Sequence, residues 1–278
     1  MRFFQEALDF PGNSFYLLRD LIKENIGIFY DDSKKDILAD KLSPLALERN
    51  FSNFLDYYYY LKYDPEGKEE WDKIADALSV QETYFFREID QIKALVDIII
   101  PKISQEGIKH IKIWSSACAT GEEPLSIAIM LKEKDWFEKM YIEIYGTDIS
   151  NSAIEKAKIG IYKERSFRNF PKELINKYFT KEENGFRIIP EIHKRVIFRR
   201  ANLVKEEEIK DLAKSKIIFC RNVFIYFSDD IIQKILRVFE ENMENPGYLF
   251  VGSAESLLRF SHSFDLQIIG GAFVYVKR

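Results

Sequence analysis

Cysteine is scarce in this chain of 278 residues: only Cys118 and Cys220 occur, with no CxxC pair and no His/Cys cluster beside either. That excludes a disulfide framework and a structural zinc site, and both thiols are expected to be small, reduced, buried side chains. Long apolar runs are missing too. No stretch approaches the roughly 18 apolar residues needed to cross a bilayer, and the opening MRFFQEALDFPGNSFY holds no extended apolar segment. A cytoplasmic protein without direct membrane insertion is the expectation. Nor is there a strong charge imbalance: 41 Lys and Arg against 45 Asp and Glu give a net charge of −4, which argues against nucleic acid as the main partner and leaves room for local basic patches. What is present, 46% hydrophobic and 31% charged residues, excludes a disordered chain, and the length suits one domain with a smaller companion.

Residues 1–78 carry helical periodicity and almost no strand signal, which predicts an N-terminal helical domain with helices at 14–25, 33–49, 51–61 and 66–78. Gly27, Pro44 and the DPEG turn at 64–67 punctuate it. Lys34, Lys35, Lys41 and Arg49 read either as a basic docking face or as a solvated helix surface, because Asp36, Asp40 and Glu48 are interleaved. A linker, 79–90, follows. Its consecutive Tyr84, Phe85 and Phe86 call for burial and put Arg87 at the edge of an apolar site.

Over 91–278 the pattern alternates between strands and helices. Strands are expected at 109–114, 141–146, 195–199, 216–220 and 247–252, and helices at 89–100, 122–134, 150–159, 206–213 and 229–243. Such alternation predicts an α/β fold whose parallel sheet is covered on both faces. The ending FDLQIIGGAFVYVK splits into two β runs at Gly270-Gly271, so the last two strands are expected to be antiparallel. A parallel sheet closed by an antiparallel hairpin is the plan of Rossmann-like methyltransferases. Residues 161–194 interrupt the alternation with a helix at 171–179 and a turn at Glu183-Asn184-Gly185, which predicts a small inserted lobe at the carboxyl end of the sheet.

The stretch KHIKIWSSACATGEE, 109–123, has the form of a strand ending in a nucleotide-binding turn, since Ser115 to Gly121 are nearly all small and let a ligand approach the backbone. Thr120 with Glu123 has the spacing of a capping box, and Pro124 suits a first turn, so a merely well-capped helix is the competing reading. Asp148, after Gly146 and Thr147, is placed to accept hydrogen bonds from a ribose diol or else to cap the helix that follows, where Ser150 could serve instead. The turn lacks GxGxxG, and Glu122 and Glu123 would repel a pyrophosphate but not a cationic, phosphate-free cofactor such as S-adenosylmethionine. Past the fourth strand, Asn222 and Tyr226 are candidates to contact cofactor or substrate, while Val223 to Phe227 also read as an apolar connection onto the helical unit. Asn202 could read an adenine edge or be a turn residue.

Seven ordered segments, TYFFR at 83–87, IWSSACATGEEPLSIA at 113–128, YGTDIS at 145–150, AKIGIY at 157–162, ANLV at 201–204, IIFCRNVFIYF at 217–227 and GYLFVGSAES at 247–256, together resemble the chemotaxis receptor methyltransferases, the CheR family. The resemblance runs from about residue 80 to the end, with the helical unit also in place. It implies a Rossmann-like S-adenosylmethionine methyltransferase sheet with a terminal antiparallel hairpin, an N-terminal all-helical domain and a small inserted β lobe. It further implies a protein-glutamate O-methyltransferase that methylates glutamates on the cytoplasmic helices of chemoreceptors and releases S-adenosylhomocysteine, in chemotactic adaptation. By that resemblance Thr83, Arg87, Glu123, Asp148, Asn202, Leu203, Asn222 and Val223 would line the cofactor site. Arg87 and Tyr226 would lie nearest the reacting centre, Glu123 would attract the cationic end of the cofactor, Asp148 would hold its ribose, and no metal is implied. One departure concerns the inserted lobe: the family can tether a receptor tail through a loop enlarged by glycine, and here TKEENGF at 180–186 is short with only Gly185. A form independent of the receptor pentapeptide is therefore expected, with Lys34, Lys35 and Lys41 as contacts for acidic receptor helices. A catalytically inactive cofactor sensor or scaffold of the same fold is the alternative; a nicotinamide dehydrogenase is disfavoured by the missing GxGxxG and the terminal hairpin.

Overall fold

Apolar residues at helical spacing bring the first part of the chain together as four helices, α1 (Gly12–Ile26), α2 (Lys35–Glu48), α3 (Phe54–Tyr63) and α4 (Gly67–Leu78). The computed structural model describes residues 8–278. Phe15, Leu18, Ile22 and Ile26 of α1 meet Leu38, Leu42, Phe54, Tyr57, Leu61 and Ile74 in a core of their own. Gly27 ends α1 as expected, but α2 runs through Pro44, because buried Leu42 and Ala46 on either side of it hold the helix in that core.

The linker is irregular to Glu88 and then enters one continuous helical stretch, Ile89–Ala94, a π-turn Leu95–Ile99 and Ile100–Gln105. Phe85 and Phe86 are buried, whereas Tyr84 is only half-buried, with the Arg168 guanidinium 4.0 Å from its ring centroid. Arginine stacking thus covers the aromatic that the core does not take in.

Ten strands follow: β1 (His110–Ser116), β2 (Tyr141–Asp148), β3 (Ile161–Tyr162), β4 (Phe179–Glu182), β5 (Gly185–Ile188), β6 (Val196–Arg200), β7 (Ile217–Cys220), β8 (Tyr248–Phe250), β9 (Phe264–Ile269) and β10 (Ala272–Lys277). Seven of them form the main sheet in the order β6-β2-β1-β7-β8-β10-β9. All neighbours are parallel up to β8, and β10 is antiparallel to both β8 and β9. Both faces are buried, as near-continuous apolar strands require. Ile113, Ile217 and Phe219 point into one core with the helix Glu122–Glu133, while Trp114, Ile218 and Cys220 point into the other with the helix Asp229–Asn242. The strands β3, β5 and β4 make the separate antiparallel sheet of the inserted lobe, anchored by Phe85, whose ring meets Tyr162, Phe167, Phe170 and Phe179.

Two strands extend beyond their apolar signal. Ser115 and Ser116 pair with Gly146 and Thr147, so β1 and β2 run two residues past the expected ends. Backbone pairing, with the buried Trp114 indole N–H donating to Thr147 Oγ1 at 2.9 Å, holds what small side chains do not advertise. Strand order runs outward in both directions from the β1/β7 pair, which places a crevice at the carboxyl ends of β1, β2 and β7, the position where open α/β sheets bind ligands.

Candidate active site

The turn after β1 alternates into left-handed backbone at Ala117 (φ 53°), Ala119 (φ 47°) and Gly121 (φ 92°). An L-residue there costs about 1–2 kcal/mol, so the two alanines are strained positions held by their bonds. Cys118 N–H donates to Thr147 O at 2.8 Å, and Ala119 N–H donates to Asp148 Oδ2 at 2.9 Å. At Gly121 a Cβ would lie 2.9 Å from the Phe198 ring, so this glycine serves packing against β6.

The expected capping box is not formed. The Glu122–Glu133 helix starts after Gly121 without a side-chain cap, and Thr120 Oγ1 donates to Glu122 Oε2 at 2.6 Å. Glu123 turns instead to Ser115 Oγ at 2.7 Å and to Arg221 Nη1 at 2.8 Å, because a guanidinium holds a carboxylate more strongly than one backbone amide does. Glu122 faces the inserted lobe, accepting also from Ser166 Oγ at 2.9 Å, and burial raises its pKa. The two acids therefore do not jointly face the crevice.

Asp148 is 8% exposed. Ser150 takes the capping role, its Oγ accepting from Ala153 N–H at 3.0 Å. This leaves Asp148 with two backbone donors, Ala119 and Ser150, both at 2.9 Å. Burial raises its pKa; the bonds from Ser150 and Ala119 pull the other way. Beyond β7, Asn222 adopts φ 57°, and its N–H donates to Glu255 Oε2 at 2.7 Å. Gly252 lies beneath it: a Cβ there would be 2.5 Å from Asn222 Nδ2.

Two adjoining clefts run along these tips. Asp148, Asn202, Leu203, Val223 and Tyr226 line the first, together with Ile26 and Ile28 from the helical unit. Thr83, Arg87, Glu123 and Arg221 line the second, and Val80, Ala117 and Asn222 line both. Every residue that the resemblance places at the cofactor or the reacting centre thus borders one groove. Within it Asn202 has an additional commitment: Nδ2 donates to Asn25 O at 2.7 Å and Oδ1 accepts from Val204 N–H at 3.1 Å, tying the strand tip to α1. The segment Val223 to Phe227 lines the cleft and also packs on the helical unit, where Phe29 N–H donates to Tyr226 O at 2.9 Å and Ile28 bridges Phe227.

Arg221 was not singled out from the sequence. It is 5% exposed and joins Glu123, Glu88 Oε2 at 3.1 Å and the carbonyl of Arg87 at 2.9 Å, while its Nε has no partner. Burial disfavours ionisation of Glu88, but Arg221 and Ser253 outweigh it and hold the pKa below the usual carboxylate value. The signal was an arginine inside the otherwise apolar run IIFC–VFIYF, a position that demands an anionic partner. Both cysteines are buried, and burial pushes their thiols up, so they are inert.

Two of the four cations read as a basic face, Lys41 and Arg49, have partners inside the helical unit. Lys41 Nζ donates to the carbonyls of Ala77 and Leu78 at 3.0 and 3.3 Å, closing the end of α4. Arg49 pairs with buried Glu70 at 2.8 Å, and Lys34 pairs with Asp31 at 3.1 Å. A helix end recruits Lys41 and a buried acid recruits Arg49, which spacing along one helix does not reveal.

The residues fit a phosphate-free nucleoside that bears an amino acid: a buried carboxylate at the β2 tip, small turn residues, and an unpaired guanidinium N–H beside a carboxylate. Sheet order, terminal hairpin and groove define the class of Rossmann-like S-adenosylmethionine-dependent methyltransferases. Family models agree over the two parts of the chain: "CheR methyltransferase, SAM binding domain" matches residues 81–269, and "CheR methyltransferase, all-alpha domain" matches residues 13–79. The chain belongs to the CheR methyltransferase family. It is 36% identical over 271 residues to chemotaxis protein methyltransferase 2 of Vibrio cholerae, covering 95% of this chain and 92% of that one. It is 33% identical over 244 residues to the chemotaxis protein methyltransferase of Borreliella burgdorferi, covering 85% and 86% respectively. Among the described residues no helix is long and apolar enough to cross a membrane.

Proposed function

We propose that this chain methylates glutamate side chains on the cytoplasmic helices of chemoreceptors, as a protein-glutamate O-methyltransferase. The observation that carries the reading is the convergence of Arg87, Glu123, Asp148, Asn222 and Tyr226 on one groove at the tips of β1, β2 and β7. S-adenosylmethionine, when bound, supplies a methyl group activated by its sulfonium. Asp148 accepts hydrogen bonds from the ribose diol. Glu123 and Arg221 form a zwitterionic pair that suits an amino-acid group, with the Glu123 carboxylate toward the ammonium and the Arg221 guanidinium toward the carboxylate. Asn222 and Val223 close one wall, Asn202 and Leu203 the other, and Thr83 borders the opening.

The acceptor, a glutamate carboxylate, is ionised at neutral pH and needs no general base. The chain's task is therefore positioning, which supplies on the order of 7–11 kcal/mol when reacting groups are held for attack. Arg87 and Tyr226 orient the carboxylate. Arg87 also donates to Glu82 O at 3.2 Å, which fixes one edge of its guanidinium beside the groove.

The short β4–β5 turn at Glu183-Asn184 supports independence from a receptor tail. Incubation of a receptor cytoplasmic fragment with labelled cofactor, read by peptide mass spectrometry, is expected to give glutamate methyl esters at equal rates with and without the receptor C-terminal tail. Tight binding of S-adenosylhomocysteine with no ester formed would make the chain a cofactor sensor instead.

A further inference from the structure

An acidic polypeptide acceptor needs a cationic surface, and on the helical unit Lys41 and Arg49 are tied up by internal partners. Positive charge gathers instead where the linker meets the inserted lobe. An opening lined by Glu82, Thr83, Thr120, Arg165 and Arg168 adjoins the cofactor groove, and Val80, Glu82 and Thr83 line both. Arg165 and Arg168 are exposed. Arg168 lies 3.1 Å from Glu82 and stacks on Tyr84, and Arg87 approaches the same ring at 5.8 Å. Arg165 has no ion-pair partner within 4.0 Å among the described residues. The other carboxyl at this opening, Glu122, is buried with both oxygens occupied by Thr120 and Ser166. Glu82 is thus the one exposed carboxylate lining it, against two exposed arginines with Arg87 just inside.

We propose that this opening is the entry surface for the polypeptide substrate. Arg165 and Arg168 receive acidic side chains that flank the acceptor glutamate, and the acceptor passes Thr83 to reach Arg87 and the groove. This rests on the glutamate methylation proposed above. Glu82 and the exposed Glu164 are interleaved with the arginines, an arrangement that admits spaced carboxylates and repels a continuous phosphate backbone.

The test is the double variant Arg165→Ala/Arg168→Ala, titrated by fluorescence anisotropy in the presence of S-adenosylhomocysteine. The probe is a labelled helical peptide with a central glutamate flanked by acidic residues. Binding is expected to weaken about tenfold or more and to lose most of its salt dependence, while calorimetry shows unchanged affinity for S-adenosylhomocysteine. In turnover, KM for the peptide is expected to rise with kcat retained. Equal peptide affinity in wild type and variant, no peptide binding by wild type, or equal binding of a single-stranded oligonucleotide of matching charge would each overturn the surface. If peptide binding needs the arginines yet no ester forms, the methyl-transfer reading fails and the surface stands. If esters form with the same KM in both proteins, the reverse holds.

Discussion

At Asp148 two demands on one side chain are separated by its neighbour. Ser150 caps the following helix, so the carboxylate is spared for the groove while its two backbone donors keep it pointed there. Asp148→Ala is accordingly expected to keep the fold and to weaken S-adenosylhomocysteine binding at least 100-fold by calorimetry. Tyr226→Phe is expected to bind that ligand within about twofold of wild type and to slow turnover, because the lost hydroxyl orients only the acceptor. Normal binding by Asp148→Ala would remove the ribose assignment. Residues such as Asp148 and Asn222 were legible because strand tips in an alternating fold are few and their side chains stand out. Arg221 was not, since its three partners come from the linker, the first helix after the turn and the backbone of Arg87, a meeting that only the folded chain creates.

Elements were legible where period and turn chemistry agree. Gly270-Gly271 marked the β9–β10 hairpin, and the four helices of the first unit lie within a few residues of their apolar periods. Where signals competed, the local rule lost: Thr120 and Glu123 have capping-box spacing, yet Arg221 and Ser115 claim Glu123. The vacated role matters for the lobe. Glu122 links the turn to the lobe through Thr120 and Ser166, and Tyr162 of β3 donates to Thr120 O at 3.0 Å. Its pKa is raised, chiefly by burial, above the ordinary value of 4.5. The folded state therefore binds the proton more tightly than the unfolded one, so the buried carboxylate costs stability above its folded pKa, and the cost is relieved as pH falls through that pKa. Glu122→Gln keeps both hydroxyl contacts by rotation of the hydroxyls and carries no charge. It is expected to melt on the order of 2–4 °C higher than wild type near neutral pH, with the difference shrinking as the pH falls toward about 4.5. A constant difference across that range in thermal melts would mean that Glu122 has the same pKa in the folded and unfolded chain, and the burial penalty assigned to it would be wrong.

Across the whole molecule the sheet, the hairpin, the lobe and the helical unit follow from alternation and period, but the use of surface charge does not, because partners distant in sequence decide it. The helical unit shows this. Lys35 is half-buried on α2 with no ion pair among the described residues, whereas Arg49 reaches across to Glu70 of α4, which is fully buried and also lies 3.5 Å from the Tyr57 hydroxyl. Removing the guanidinium leaves a buried carboxylate without its counterion, a change that strongly destabilises a fold, while removing the Lys35 charge strands no partner. Arg49→Ala is therefore expected to lower Tm by roughly 5 °C or more, and Lys35→Ala to leave it within about 1 °C. In turnover at a temperature where both variants remain folded, neither is expected to raise KM for a receptor fragment. A Lys35→Ala or Arg49→Ala variant with unchanged Tm and a raised KM would return the docking role to α2, since only direct contact with the substrate separates affinity from stability in that way.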